Sequence, residues 1–337
     1  MPRVVSCPIL RELELQSSWL LFHSVGKNTR KTYNQFYKEY REFALQFGLI
    51  DFPLTENTLV LFATHLTSLQ KSHKQITMYM AAIKFFAQVL GHSSVFDSSL
   101  RLARLMRGIK IYQGNTFSKP KRTPVTPALL RKLGLGLFRS PLIYEDKLML
   151  WAAMTAAFFG FLRVSEYTTK LVRSFDPAVD LCFPDLTICH TRVELTLKAS
   201  KTDPFRQGVV VRLSANGTSL CPVRAMKRYL HSCPNMTGPL FQFSDGRYLT
   251  RKSFMTALNL VKPHEINNMS THSFRIGAAT AAAAAGYPRW AIQAMGRWSS
   301  DCYRTYIRIS DDTIAGMSRA MAFVLCDDVT TFDPDNA

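Results

Sequence analysis

Residues 148–162, LMLWAAMTAAFFGFL, contain no charged side chain. A helix over 143–162 is therefore apolar on nearly all of its circumference and has to be covered on every side. It cannot satisfy that need in a bilayer, because a membrane span takes about 20 apolar residues. Glu145 and Asp146 stand before the run and Arg163 directly after it. The run thus predicts the buried centre of a globular domain. With 337 residues, the chain has room for about two domains of ~100–200 residues each.

The flanking patterns predict mostly helices. Tyr33, Phe36, Tyr37, Tyr40, Phe43 and Phe47 share one face of a helix over 29–47, and Gly48 ends it. A second helix begins at Thr55, with Leu59, Phe62, Ala63 and Leu66 inward. A third spans 73–90 and a fourth 97–110, with Leu102, Leu105 and Ile109 inward. In the fourth, Arg101, Arg104, Arg107 and Lys110 recur every third residue with few acids nearby, which suits a phosphate-facing stripe as well as a solvated face. Residues 114–127, GNTFSKPKRTPVTP, hold three prolines and the basic residues Lys119, Lys121 and Arg122, and read as a linker able to follow a phosphate backbone. Beyond it, helices fit 126–137, 143–162, 222–231 and 251–260. Alternating stretches at 191–198 and 209–213 read as two strands around a polar turn. The expected class is mainly α with a small antiparallel β-sheet. The expected layout is an all-helical domain at 1–113, a linker at 114–127, a mixed domain at 128–325 and an acidic tail at 326–337.

Lys and Arg number 42 against 24 Asp and Glu, a formal charge of +18. Residues 1–125 contribute +10, residues 126–325 contribute +12 and the tail −4. Both large parts are basic, which points to a polyanionic partner, nucleic acid first and an anionic membrane surface second, and two basic units could close around double-stranded DNA. With 47% apolar residues the chain is neither disordered nor a disulfide-stapled miniprotein. The start, MPRVVSCPILRELELQ, lacks the unbroken apolar core of a signal peptide. Seven cysteines without C-x-x-C spacing suggest reduced thiols. Cys182, Cys189 and His190 have no second ligand pair at zinc spacing, so neither a metal site nor a cofactor is expected.

Four short segments carry candidate chemistry. In THSFRIGAATAAAAAG, Ser270 or Thr271 can cap a helix that places His272 and Arg275 on one face near its N-terminus, where anions are favoured. In GFLRVSEY, Arg163 follows the apolar helix. It can pair with Glu166, or face a bound phosphate while Glu166 steadies a neighbour. Lys201 sits in the turn between the strands, where an ammonium near arginines suits a general acid. In GRWSSDCYRTYIR, Tyr303 and Tyr306 follow Ser299 and Ser300, either of which can start a short helix. Two arginines, a lysine, a histidine and a tyrosine form a complete set for phosphoryl transfer: clamps for the non-bridging oxygens, an acid and a nucleophile.

In this order, GFLRVSEY, SKTD, THSFRIGAAT and GRWSSDCYRTYIR resemble the tyrosine recombinase/integrase family of the Cre and lambda-integrase type. They look most like recombinases of eukaryotic mobile elements, the DIRS-like retrotransposons and Cryptons. The resemblance implies an all-helical core-binding domain and a mixed α+β catalytic domain. It makes Arg163 and Arg275 the paired arginines on the scissile phosphate, Lys201 the general acid (with Lys198 as the nearby competitor) and His272 a proton-transfer and positioning group. Tyr306 matches the nucleophile better than Tyr303, by its Tyr-Ile-Arg context and its distance from Gly296. The family usually has His or Trp directly after that glycine. Here Arg297 follows and Trp298 comes next; either could donate to the phosphate, by a guanidinium or an indole N–H, and Trp298 is the preferred match.

The resemblance further implies cleavage and rejoining of DNA through a 3′-phosphotyrosine, in a nuclear enzyme that integrates or excises a mobile element. It implies a homo-tetramer on synapsed DNA, tied by a C-terminal segment such as 309–325, where Ile314, Met317, Met321 and Val324 form an apolar stripe. Neither a membrane nor a cofactor enters. A DNA-binding protein retired from catalysis and a type IB topoisomerase remain the alternatives.

Overall fold

The computed structural model describes residues 8–91, 94–114, 121–200, 203, 206–233, 235–308 and 315–316. Lys119, Lys201 and nearly all of 309–325 lie outside the described residues, as does the acidic tail. The chain divides into two compact units, 1–119 and 120–337. Among the described residues no helix is long and apolar enough to cross a membrane.

The first unit is all helical: α1 (Pro8–His23), α2 (Lys27–Gln46), α3 (Glu56–Ser68), α4 (His73–Val89), α5 (Ser94–Ser98) and α6 (Leu100–Gln113). Side-chain caps set several starts. The Thr55 hydroxyl accepts from the Thr58 N–H at 3.1 Å, and Ser72 forms a reciprocal capping box with Gln75. The core gathers Tyr40 and Phe43 of α2, Leu59, Phe62, Ala63 and Leu66 of α3, Ile76 and Ile83 of α4, and Leu102 and Ile109 of α6. Three features differ from the sequence reading. Helix α1 was not anticipated, and it buries no residue. The expected helix over 97–110 is two helices, because the Ser99 hydroxyl caps Leu102 N–H at 3.0 Å and restarts the chain. Phe47 is exposed, since α2 has ended before it.

The second unit holds α7 (Pro127–Arg139), α8 (Tyr144–Phe159), α9 (Pro222–Ser232), α10 (Arg251–Val261), α11 (His272–Ala284) and α12 (Arg289–Gly296). Helix α8 is buried from Leu148 to Phe158, as its uninterrupted apolar sequence requires. A three-stranded antiparallel sheet has the order β1 (Leu186–Ile188), β2 (Arg192–Leu197) and β3 (Val209–Ser214). Alternation turns Val193, Leu195 and Leu197 of β2 and Val211 and Leu213 of β3 inward. The sequence reading gave β2 and β3 and missed β1, a three-residue strand too short to show a period.

The end of the expected linker belongs to this unit. Val125 is fully buried in its core. Thr123 N–H donates to Asn268 O at 3.0 Å and Val125 N–H to Ser273 O at 2.9 Å. The segment thus lies against the start of α11. It then caps α7 through Thr126, whose hydroxyl accepts from Leu129 N–H at 3.1 Å.

Candidate active site

Helix α11 is the axis of the site. Its start does not use the expected side-chain cap. Thr271 is already helical and caps nothing, while Ser270 N–H donates to the Ser273 hydroxyl at 3.0 Å. One turn in, Arg275 is 0% exposed. Its Nη1 donates to the Phe161 carbonyl and its Nη2 to the Gly296 carbonyl, which ties α11 to the end of α8 and to the last residue of α12. Arg275 Nε is buried without a partner. A guanidinium taken from water this completely is costly, and burial, followed by the neighbouring Arg163, lowers its pKa to about 10. It remains a cation at neutral pH.

Two aromatic rings lie over that cation. The Arg275 guanidinium carbon is 4.3 Å from the Trp298 ring centroid and 5.9 Å from that of Tyr306. Tyr306 lies 4.9 Å from Trp298 and 5.0 Å from His272, centroid to centroid. It ends the 3-10 turn Asp301–Thr305, with its carbonyl accepting from the Thr280 hydroxyl of α11 at 3.2 Å. The same hydroxyl accepts from Arg308 N–H at 3.1 Å. Thr280 was not singled out from sequence, yet it fixes the chain on which Tyr306 sits. Tyr303, the competing tyrosine, is 2% exposed, and its ring centroid lies 6.3 Å from that of Trp298.

His272, half-buried at the start of α11, is held down to about 4. Burial is the largest cause, and Arg122, Arg275 and Arg163 add to it. At neutral pH it is an uncharged imidazole beside the Tyr306 ring. Arg122, from the expected linker, therefore acts on the site electrostatically, while its side chain and that of Lys121 are exposed.

Arg163 directly precedes the 3-10 turn Val164–Glu166, and its side chain is 17% exposed. Its Nη1 donates to Glu166 Oε1 at 2.9 Å and to the Ser200 hydroxyl at 3.0 Å. Both alternatives read from sequence are compatible with this geometry, because Arg163 pairs with Glu166 and, among the described residues, uses only Nη1 of its side chain to do so. Ser200 brings the start of the β2–β3 turn to the site. Lys198 is engaged elsewhere, with Nζ 2.6 Å from Asp185 Oδ2. Arg297 turns inward as well and reaches Glu166 Oε2 at 2.8 Å. The four expected residues Arg163, His272, Arg275 and Tyr306 thus meet with Trp298 around one place. The sequence reading underrated Glu166 and Arg297. The signal for Glu166 was its spacing of three from Arg163, which places both on one turn.

No protein-family model matches the sequence, and no match was found among curated proteins. Solved structures do match. The XerH site-specific recombinase bound to its palindromic difH substrate superposes with a TM-score of 0.61 at 14% identity, over 88% of this chain and 81% of that one. The Tn1549 transposon integrase in complex with circular intermediate DNA gives 0.54 at 15% identity, over 90% and 98%. A lambda integrase dimer bound to a COC′ core site gives 0.51 at 15% identity, over 88% and 76%. At such identities the likeness is one of architecture, and this mainly helical chain with its small three-stranded antiparallel sheet has the fold of the tyrosine recombinase catalytic domain.

Proposed function

We propose that this chain is a site-specific DNA recombinase that cuts and rejoins strands through a covalent phosphotyrosine. The observation that carries the reading is the convergence of His272 and Arg275 on the ring of Tyr306, with Arg163 near enough to both cation and imidazole to lower their pKa values. In this reading the Tyr306 phenol oxygen attacks the scissile phosphorus while the P–O5′ bond breaks. His272, neutral at pH 7, receives the phenol proton. Arg163 and Arg275 hold the non-bridging oxygens, where negative charge grows. The departing 5′ oxygen takes a proton from Lys201. The contact from Arg163 to Ser200, its chain neighbour, supports that assignment. The 3′-phosphotyrosine and free 5′-hydroxyl conserve the bond energy, so the reverse attack reseals the strand without ATP.

The basic character of both units supports duplex DNA as substrate. The wider setting is part of the proposal: a mobile element's integration or excision in the nucleus, by a tetramer joined through residues 309–325. The matched integrase of a transposon supports the element role.

The test is trapping on a nicked suicide DNA substrate. A denaturation-stable protein–DNA adduct is expected for the wild type and for Tyr303→Phe, and none for Tyr306→Phe. Adduct surviving in Tyr306→Phe would remove Tyr306 as nucleophile. Wild-type binding without any adduct would leave the DNA-binding reading in its place.

A further inference from the structure

Arg297 occupies a position that sequence comparison would assign to phosphate contact, yet its geometry serves another purpose. It follows α12 with φ 54° and ψ 46°, the left-handed region that favours glycine. A β-carbon there is strained, so the side chain has to repay the conformation. It turns inward and is 12% exposed. Nη1 donates to Gly160 O at 3.0 Å and, more weakly, to Met295 O at 3.4 Å. Nη2 donates to Phe161 O at 3.2 Å and to Glu166 Oε2 at 2.8 Å. The four Nη hydrogens are thereby used, and Nε is buried. No bidentate edge is left for a phosphate.

Glu166 shows what this guanidinium does. Its side chain is 1% exposed. Oε1 accepts from Arg163 Nη1 at 2.9 Å, and Oε2 accepts from both Arg163 N–H and Arg297 Nη2 at 2.8 Å. The carboxylate thus grips Arg163 by main chain and side chain while Arg297 holds the carboxylate. Charge matters as much as orientation. A buried Glu166 facing Arg163 alone would cancel it, and a neutral pair attracts a phosphate poorly. With Arg297 as the second cation, the three groups keep a net positive charge, displayed at the partly exposed Arg163.

We propose that Arg297 is a positioning residue for Arg163, acting through Glu166 rather than by touching DNA. This rests on the reading of Arg163 as a clamp on the scissile phosphate. The test compares Arg297→Gly, Glu166→Gln and the double variant in adduct formation on nicked DNA. Arg297→Gly relieves the left-handed strain while deleting the guanidinium. It should slow adduct formation about 10- to 100-fold, the effect of unpairing one buried charged partner. DNA affinity should change less than about threefold.

In the Glu166→Gln background the same change should add little, because the charge it balances is gone. A purely structural residue would not show this dependence. Arg297→Lys keeps the charge and should recover part of the rate. Losses that multiply in the double variant, an unchanged rate in Arg297→Gly, or a lysine variant no better than glycine would each overturn the inference. If wild-type protein forms no adduct, the recombinase reading fails. The positioning claim is then decided by the crystal structure of Arg297→Gly, where Glu166 should rotate away from its present place. An unmoved Glu166 and Arg163 would overturn it.

Discussion

The Arg275 guanidinium carbon lies 4.3 Å from the Trp298 ring centroid, and both side chains are buried. Gly296 makes the approach possible, because a β-carbon there would fall within 1.7 Å of the indole. Trp298 thus stacks on Arg275 and packs beside Tyr306. Trp298→Ala should lower the unfolding free energy by about 3–5 kcal/mol, the usual cost of emptying a buried aromatic site. Trp298→Phe, which keeps a ring over the cation, should lose much less. Denaturant unfolding of the two variants decides this, and equal losses would contradict a stacking role.

His272 gives the molecule a pH dependence with a definite sign. The unfolded chain binds a proton at this residue near the ordinary value of 6.5, whereas the folded state resists until about 4. Between those values the unfolded state carries more protons, so stability rises with pH across this window and falls as pH drops through it. Above about 6.5 the residue contributes no slope. His272→Gln should therefore flatten the difference in denaturant midpoint between pH 5 and pH 7.5. A phosphate placed among Arg122, Arg163 and Arg275 offsets their repulsion of the imidazolium, so DNA binding should raise the His272 value in an NMR titration.

Gly277 is where α11 meets the segment before α7. An added β-carbon would stand 1.9 Å from the Val125 carbonyl oxygen and 2.5 Å from its carbon, and main chain cannot swing aside as a side chain can. Gly277→Ala should destabilise the second unit by about 1–3 kcal/mol, the range for overpacking a filled core. It should also slow adduct formation beyond what lost stability explains, because His272 and Arg275 ride on the same helix. A variant as stable and as fast as wild type would show that α11 can shift freely.

What the sequence discloses follows from how local each signal is. The buried α8 was legible because fifteen uncharged residues admit one environment, and β2 and β3 because six-residue strands display their alternation. Tyr306 was preferred to Tyr303 only through the family resemblance, whereas His272 and Arg275 were legible as a pair three apart at a helix start. Helix α1 was not, because none of its residues is buried and no covered face marks it in the sequence. The inward turn of Arg297 was not, because it depends on a left-handed turn where the sequence offers no glycine, and on carbonyls at 160 and 161 that are remote in the chain. Val125 was read as linker from its proline-rich neighbours, and only the tertiary contact with α11 reveals it as core.

The arginine stripe of α6 tests how the diffuse charge is used. Leu102 and Ile109 are buried, while Arg101, Arg104, Arg107 and Lys110 are exposed along the other side of the helix. If the three arginines each neutralise a backbone phosphate, replacing all three by Gln should reduce the slope of log K against log salt by about 3, since each neutralised phosphate of B-DNA contributes about 0.9. At saturating DNA the rate of adduct formation should stay the same, because none of the three belongs to the site around Arg275. An unchanged salt slope would make the stripe a solvated face with no part in DNA binding.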